Sequence, residues 1–504
     1  MRNIAFSLVF AVAASLHASS IHYPEPRSGE RVLDFVVRWD KWVESIPENQ
    51  KASRLIFEVE SFIQIELDKG HWFEIDPRAD DEESVAQWIW AAEYVGNYPE
   101  LIQKIREYAS RPLVGVSISD SSYLFRMLGD DGYGIESGPH PKTFNDIVPS
   151  YNSIIRSHID LLLIDMHLAN ESKDFDRSLL DIQAIANMAR LIPTINSTLD
   201  HLVVGAIGGV IARRILWEEI NIERLNDTQL VQLSGILHEI ESLYDPASSI
   251  QIERLISHEF LDWIYEDSAD GKIAPLGVAR LIDVMEAHSF QRTFGDWGIP
   301  KSKPTKFQIA VGALLHQQII ESETDQRELL DSYYDAVEKD LLLPIHELDS
   351  WTASSISRHP DGSFTQKILN SPALFAMGRS QLLFDLSNTP NRFHAAQLLI
   401  SLQRHLLRHR VYPTEFSAID IDLYTSVPID LFSGQALKFK VIDGKPVIYS
   451  VGTDRDDDGG KPIFDDDGEF VSWVRFITLD ELDEINETNP SSIDGDWVLY
   501  PMTN

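Results

Sequence analysis

The stretch of chain from Ile154 to Leu191 decides the fold, and it reads IIRSHIDLLLIDMHLANESKDFDRSLLDIQAIANMARL. Apolar residues recur at intervals of three and four on both sides of a short polar segment, which is the spacing of helices that bury one face. The pattern predicts a helix from Ile154 to Ala169, a polar turn over residues 170–174, and a second helix from Phe175 to Leu191. A connection this short makes the two helices antiparallel neighbours.

Further helices extend this pattern in both directions. Pro193 ends the second helix, and residues 197–217 predict a third. Helical spacing dominates from about Ser28 to Arg410. We therefore expect residues 22–388 to form a mainly α body, an irregular bundle of helical hairpins. The first hairpin resembles one unit of a tetratricopeptide-type array, although no second copy follows at a fixed period.

The third predicted helix contains the apolar run Leu202–Ala212, in which Gly205 and Gly209 are four residues apart. Small residues at this spacing let helices approach closely, in lipid or in a tight bundle. Crossing a bilayer requires roughly 20 apolar residues, so this run of 11 is too short. We expect close helix packing inside a soluble bundle.

The composition describes an ordinary folded protein with an unusual charge. Apolar residues make up 43% of the 504 positions, but 79 acidic residues against 43 basic ones leave a net charge of −36. Such a surface repels phosphate backbones, so we do not expect nucleic-acid binding. The chain has no cysteine, which excludes disulfides, thiolate nucleophiles and thiolate metal sites.

The first residues have the pattern of a secretory signal peptide. Arg2 precedes the apolar run Ile4–Ala14, and small residues follow up to Ala18. We predict a signal peptide over residues 1–18, with cleavage after Ala18 or Ala14. The mature protein would then be exported to the periplasm, the cell surface or the medium, with no integral membrane segment. The alternative is a buried first helix of the mature domain.

The character of the chain changes after residue 388. Thr389-Pro390 has the form of a helix start, with a capping residue followed by proline at the first helical position. Short alternating runs follow the helix at residues 437–442, 446–450 and 470–477, and Asp443-Gly444 between the first two is typical of a hairpin turn. We predict that residues 389–504 form a small α+β module, one long helix plus a short antiparallel sheet.

An acidic segment follows the second of these runs. Asp454, Asp456 and Asp458 alternate along the chain, Gly459 takes the sixth place, and Asp465 takes the twelfth. This spacing is typical of a loop that folds around Ca²⁺. Residues 454–469 carry a net charge of −6, and a hard divalent cation with oxygen ligands would relieve that repulsion.

The segment also departs from the helix–loop–helix calcium hand. A predicted strand enters it, Pro462 occupies the ninth place, and Asp465 is shorter than the usual glutamate. We expect Ca²⁺ rather than Mg²⁺, which takes fewer protein ligands. The alternative is a solvated acidic loop that binds nothing.

The order of several motifs in this tail resembles a known family. The motifs are Tyr412-Pro413, Val427 to Gly434, Tyr449-Ser450-Val-Gly-Thr-Asp454 and Gly459-Gly460. Together they resemble the soluble domain of the type II secretion major pseudopilin. The resemblance implies a calcium loop around Asp454, with Ser450 and Gly460 as further site residues. Large exported bacterial proteins of unknown function share such a tail, and their helical bodies carry a segment similar to Leu161–Ile211.

The chain differs from the pseudopilin pattern at three points. Leu431 replaces the proline after the turn aspartate, and Arg455 replaces a loop glycine. The basic leader and polymerising apolar helix of that family do not precede this tail, so we do not expect assembly into a pseudopilus.

No catalytic motif stands out. His238-Glu239, His258-Glu259 and His346-Glu347 lack the second histidine that a zinc helix of the His-Glu-x-x-His type needs. His140, His167 and His201 could meet in space, but isolated helical histidines are more often structural. The sequence contains 11 tryptophans, among them Trp39, Trp42, Trp72, Trp88 and Trp90.

These observations favour an exported, non-enzymatic scaffold that contacts a protein partner through its helical body and ends in a calcium-binding module. The alternative is a secreted all-α carbohydrate-active enzyme, a glycosidase or lyase with paired carboxylates. Carboxylates and tryptophans that converge in one cleft would favour the enzyme, and buried aromatic residues would favour the scaffold.

Overall fold

The computed structural model describes residues 24, 32–67, 82–116, 151–192, 198–216, 220–266, 271–274, 322–347, 389–424, 427–452, 454–462 and 495–501. The predicted signal peptide at residues 1–18 lies outside these ranges. In chain order the helices are α1 (Val32–Ser45), α2 (Ser53–Leu67), α3 (Glu82–Asn97), α4 (Pro99–Ala109), α5 (Tyr151–Glu171), α6 (Phe175–Leu191), α7 (Thr198–Leu216), α8 (Asp227–Leu243), α9 (Ile250–Tyr265), α10 (Glu323–Leu342) and α11 (Thr389–His409). The prediction of a mainly helical protein is confirmed.

The central pair α5 and α6 forms where the sequence predicts it. The two helices pack against each other, and Asp174 caps α6 by accepting a hydrogen bond from the backbone N–H of Arg177 at 3.2 Å. Lys173 in the turn adopts a φ of 63°, a left-handed conformation that reverses the chain in few residues. More than half of the residues of α6 are buried, and both helices contribute to the main hydrophobic core. Resemblance to a tetratricopeptide repeat stays a prediction.

A cluster of buried ions joins α4, α5 and α6. Arg106 Nη2 lies 2.8 Å from Asp165 Oδ2 and 2.6 Å from Asp181 Oδ1, and both carboxylates are buried. Arg177 donates to Asp165 through Nε at 3.0 Å and also through Nη2. Two guanidinium groups thus face two buried carboxylates, as buried charges require, while Asp181 Oδ2 is buried with no hydrogen-bond partner among the described residues.

A second buried polar network joins α2, α4 and α5. His158 Nδ1 lies 2.7 Å from the Tyr108 hydroxyl, and His158 Nε2 lies 3.2 Å from Glu60 Oε2. All three side chains are buried. Burial lowers the pKa of His158, which favours the neutral ring. The network ties three helices together inside the core.

The C-terminal sheet is antiparallel, in the order β1 (Lys438–Ile442), β2 (Lys445–Ser450) and β3 (Trp497–Tyr500). Asp443 and Gly444 connect β1 to β2 with φ values of 49° and 80°, so the predicted hairpin turn is confirmed. The sequence did not predict β3, whereas the predicted strand at 470–477 lies outside the described residues.

The long helix α11 packs on both the helical body and the sheet. It contacts α7 and α8 on one side, and β2 and β3 on the other. A single hydrophobic core therefore contains residues of the body, of α11 and of the sheet. The predicted division at residues 388 and 389 coincides with the start of α11, but packing is continuous across it.

A glycine permits this contact. A Cβ atom on Gly208 would lie 2.1 Å from Cζ of Phe393, which is a buried residue of α11. A Cβ on Gly205 would lie 2.8 Å from Cε2 of Tyr244, whereas a Cβ on Gly209 would meet nothing within 4 Å. Close approach therefore occurs in α7, but at Gly205 and Gly208 rather than at the expected pair Gly205 and Gly209. In the described ranges, none of the helices has both the length and the apolar character that crossing a membrane requires.

Candidate metal centre

A buried carboxylate fixes the end of β2, from which the acidic segment leaves. Asp430 is fully buried and accepts hydrogen bonds from the Ser450 hydroxyl at 2.7 Å and the Val451 backbone N–H at 3.0 Å. It also accepts from the Phe432 backbone N–H at 3.1 Å and from the Ser433 hydroxyl at 3.2 Å. Since neutral donors occupy both oxygens, the Asp430 carboxylate serves as a structural anchor.

The same network involves the start of α11. Asn391, which is fully buried, accepts from the Leu431 backbone N–H at 2.9 Å, and its amide nitrogen lies 3.5 Å from Asp430 Oδ1. The helix, the turn at 430–434 and the end of β2 therefore hold one another in place, and the acidic segment begins from a fixed point.

The structure brings three of the predicted ligands together. One carboxylate oxygen each from Asp454, Asp456 and Asp458 lie within 4.8 Å of one another. Ca²⁺ binds its oxygen ligands at 2.3–2.6 Å, so oxygens at this separation can be neighbouring ligands of one Ca²⁺ ion. The alternating positions in the sequence thus become one acidic cluster, which we call the aspartate triad.

Few protein donors reach the aspartate triad. Asp454 accepts from the backbone N–H of Gly495 at 3.1 Å and from that of Asp456 at 3.4 Å. Asp458 Oδ2 is buried and has no hydrogen-bond partner among the described residues. A buried carboxylate oxygen without a partner is costly, so this atom is open to a further donor or to a cation.

The neighbouring Asp457 belongs to a different environment. Its Oδ2 lies 2.5 Å from Lys438 Nζ on β1, and its Oδ1 accepts from the Gly459 backbone N–H at 3.1 Å. The hydrogen bond to Lys438 lowers the pKa of the Asp457 carboxyl. Lys440, also on β1, donates to the carbonyl oxygen of Gly459. Asp456 and Asp458 thus belong to the triad, whereas Asp457 between them is held by Lys438 of β1.

Asp496, which the sequence analysis missed, lies beside the triad. It is fully buried at the start of β3, and its Oδ2 accepts from the Gly460 backbone N–H at 2.5 Å. Its backbone N–H donates to the carbonyl of Lys461 at 2.7 Å, whereas its Oδ1 is buried with no partner in the described ranges. In the sequence, Asp496 is marked only by its position directly before the apolar run Trp497–Tyr500. Its contact with the acidic loop arises only because the chain returns there in the folded structure.

The electrostatics of the cluster follow from burial and crowding. Burial raises the pKa of Asp454 to about 6, and the negative charges of Asp456 and Asp458 add to the effect. Burial likewise raises the pKa of Asp496 to about 6, with Asp457 and Asp458 contributing. Both shifts mean that the ionised carboxylates are under-compensated by the protein alone. A bound cation would lower the pKa of both carboxyl groups.

The remaining predicted ligands have different positions. The hydroxyl of Ser450 is directed to Asp430 and also accepts from the Gly452 backbone N–H at 3.2 Å, so it is not part of the triad. Gly460 adopts a φ of 76° and places its N–H on Asp496. Asp465 lies outside the described residues. Arg455 adopts a φ of 64°, a conformation that favours glycine, and donates to the His346 carbonyl at 3.2 Å.

The histidines considered for catalysis have separate partners. His201 is buried, accepts from the Asp245 backbone N–H at 3.3 Å and lies 3.2 Å from the Ser248 hydroxyl. His167 lies 3.4 Å from Glu171 and packs edge-on against Trp88. His140 lies outside the described residues. The two described histidines therefore have structural surroundings.

The described tryptophans favour packing roles. Trp39 is buried in a small core between α1 and α9, and Trp497 is buried in the main core, where it packs edge-on against Phe432. Trp90 lies against Tyr94, with ring centroids 5.4 Å apart. Trp72 lies outside the described residues. Trp42, Trp88 and Trp90 are partly buried, and the choice between scaffold and enzyme stays a prediction.

Comparison of the chain with models of known protein families, with curated proteins and with solved structures found no match. The resemblance of the tail to a pseudopilin domain therefore stays a prediction from the quoted motifs.

Proposed function

We propose that this protein is an exported, non-enzymatic scaffold whose C-terminal module binds Ca²⁺ at the aspartate triad. The observation that supports the proposal is the grouping of Asp454, Asp456 and Asp458 oxygens within 4.8 Å. Asp458 Oδ2 and Asp496 Oδ1 are both buried without a partner in the described ranges, and Asp496 is joined to the loop by the Gly460 N–H.

The chemistry of these ligands favours Ca²⁺ over other ions. All the candidate ligands are oxygens, which hard cations prefer, and the triad lies on a loop rather than on rigid elements. Ca²⁺ accepts six to eight oxygens in flexible geometry, and water can complete the set. Mg²⁺ demands a near-ideal octahedron and retains several waters, so it would bind this loop more weakly.

The module is built to transmit the effect of the ion to the fold. The loop begins beside the Asp430 anchor, and Asp496 connects it to β3. Because α11 contacts β2, β3 and the body helices α7 and α8, a cation that fixes the loop would stiffen the surface next to the body. This arrangement supports a structural rather than a catalytic ion.

Calorimetric titration of chelator-treated full-length protein with Ca²⁺ tests the ion. We expect a saturable heat of binding and a higher melting temperature, because a ligand that binds only the folded state stabilises it. The double substitution Asp454→Asn with Asp456→Asn removes two charges from the triad and should abolish both effects. The matched control is Asp457→Asn, which removes an acid that is paired with Lys438 and should retain binding.

The absence of binding heat at millimolar Ca²⁺ would disprove the calcium site, and so would a double variant that binds as the wild type does. The scaffold role has its own test, which is incubation of the full chain with a panel of polysaccharides. Release of reducing ends that depends on a carboxylate would favour the carbohydrate-active alternative. N-terminal sequencing of exported protein should show a start after Ala18 or Ala14.

A further inference from the structure

A second group of metal-ligating side chains lies at the C-terminal end of α11, far from the aspartate triad in sequence. His405 and His409 are one helical turn apart, and their ring centroids are separated by 4.3 Å. Asp420 lies on the connection after the helix, between the short 3₁₀ turns Phe416–Ala418 and Ile421–Leu423. One ligand atom from each of the three residues lies within 4.8 Å of the other two.

One of these side chains is buried without its hydrogen bond. His405 is 6% exposed, and its Nδ1 is buried with no hydrogen-bond partner among the residues that the structure describes. Buried polar atoms nearly always have a partner, and an unpartnered one requires an explanation. The ring packs beside that of His409 and belongs to the group with Asp420, so an ion held by the group would give this histidine a polar partner.

We propose that His405, His409 and Asp420 bind a borderline transition-metal ion of the Zn²⁺ class. Imidazole nitrogen suits Zn²⁺, Cu²⁺ and Ni²⁺, whereas Ca²⁺ prefers oxygen ligands only. Two histidines at positions i and i+4 lie on one face of a helix, which is the arrangement that zinc helices use. His409 is exposed, so water can reach the group and take the remaining position.

Two neighbouring side chains hold the Asp420 carboxylate. Asp420 Oδ2 lies 2.8 Å from His409 Nε2 and 2.8 Å from Arg408 Nη1. Arg408 also binds both oxygens of Asp422, at 2.9 and 2.8 Å. On metal binding, Asp420 and His409 would exchange their mutual hydrogen bond for bonds to the ion, while Arg408 would keep Asp422. Arg408 therefore competes with the metal for Asp420.

The site would act as a clamp. It would bind the last turn of α11 to the connection that leads from the helix towards the sheet, since Asp420 follows α11 by about ten residues. This inference does not depend on the calcium site, because the two groups share no residue and favour different classes of ion.

Titration of metal-free full-length protein with Zn²⁺ in the presence of excess Ca²⁺ tests the proposal. We expect one site that Ca²⁺ does not displace, and we expect His405→Ala or His409→Ala to weaken it about tenfold or more. His238→Ala is the matched control, since His238 is an exposed helical histidine 3.8 Å from Glu241, and it should bind as the wild type does. Arg408→Gln should tighten binding, because it removes the competing cation but no ligand.

Substitution of Co²⁺ gives a second measurement that does not depend on affinity. A tetrahedral site with two imidazole ligands should give visible absorption bands, which His405→Gln should change. Circular dichroism of each variant verifies that α11 is folded. Equal Zn²⁺ affinity of the wild type and the folded His405 and His409 variants would overturn the proposal, and so would a Co²⁺ spectrum that is indistinguishable from that of the hydrated ion.

Discussion

The helical body and the C-terminal loop both crowd carboxylates together, but they neutralise them differently. In the body, Asp165 and Asp181 are buried against Arg106 and Arg177, so the opposite charge is part of the same chain. In the loop, the described residues give the aspartate triad two backbone N–H donors on Asp454 and leave a buried oxygen of Asp458 without a partner.

The difference separates a structural cluster of ions from a site for a free ion. A guanidinium fixed by helix packing belongs to the folded chain, so the body brings opposite charge to Asp165 and Asp181 without a soluble ion. Asp181 Oδ2 is nevertheless buried with no partner among the described residues. The lysines of β1 contact Asp457 and the Gly459 carbonyl instead of the triad. The carboxylates of the triad therefore stay available, and a soluble cation can neutralise them.

The largest expected effect comes from removing the fixed charge in the body. Arg106→Ala leaves Asp181 without the guanidinium that contacts its Oδ1, and at pH 8 we expect a loss of about 3–5 kcal/mol in the free energy of unfolding. Urea denaturation measures it. Arg54→Ala, which removes an exposed arginine that pairs with Glu58 on the same helix, is the control and should cost much less. Similar losses in the two variants would mean that the buried ion pairs of the body stabilise the fold no more than an exposed ion pair does.

The next effect tests whether the two regions are one folding unit. Gly208→Ala forces a methyl group against Phe393 of α11, so we expect a loss of about 1–3 kcal/mol and one cooperative transition. Gly209→Ala in the same helix meets nothing within 4 Å and should be neutral, or should stabilise by up to about 1 kcal/mol. Two separate transitions in the wild type would show that the body and the module unfold independently.

The third effect is the pH dependence of stability, which Asp181 should make lower as the pH rises. Burial, with the charge of Asp165, raises the pKa of Asp181 from 3.8 to about 8. The folded state therefore holds this proton more tightly than the unfolded state does. The resulting stabilisation of the fold is complete below pH 3.8 and is lost as the pH rises towards 8. Relative to Asp181→Asn, the wild type should lose stability from pH 5 to pH 8, by at most about 1.4 kcal/mol per pH unit. Parallel pH profiles of the two proteins would contradict the assignment.

The smallest effect belongs to the loop, and its sign depends on whether Ca²⁺ is present. Without Ca²⁺, Asp456→Asn should leave stability unchanged or raise it by less than about 1 kcal/mol, because it relieves repulsion in the triad. With saturating Ca²⁺ the same substitution should lower the melting temperature relative to the wild type. Since the pKa values of Asp454 and Asp496 are about 6, the benefit of Ca²⁺ should fade as the pH drops below 6. A stabilising effect of Ca²⁺ that is equal at pH 5 and pH 7.5 would argue against these ligands.

The sequence predicted local features well and distant neighbours poorly. The hairpin turn at Asp443-Gly444 and the central helices formed as expected, since turn chemistry and helical spacing act over a few residues. The alternating aspartates converge because they are close in the chain. Asp496 was missed because it follows Asp458 by nearly 40 residues, and no local pattern marks which loop it will meet. His405 and His409 carry helical spacing, but their relation to Asp420 depends on the path of the connection after α11.

The sequence by itself determined that the chain is mainly helical, that it ends in an antiparallel hairpin, and that its acidic segment can gather three carboxylates. These properties follow from periodicity, turn residues and the reach of a short loop. Only the tertiary structure decided which carboxylates are neutralised. Packing brings guanidinium groups to Asp165 and to Oδ1 of Asp181, and neutral donors to Asp430, whereas the described residues supply no ion pair to Asp458 or Asp496. Charge balance depends on distances of a few ångströms between residues that are far apart in the chain, and folding alone sets those distances.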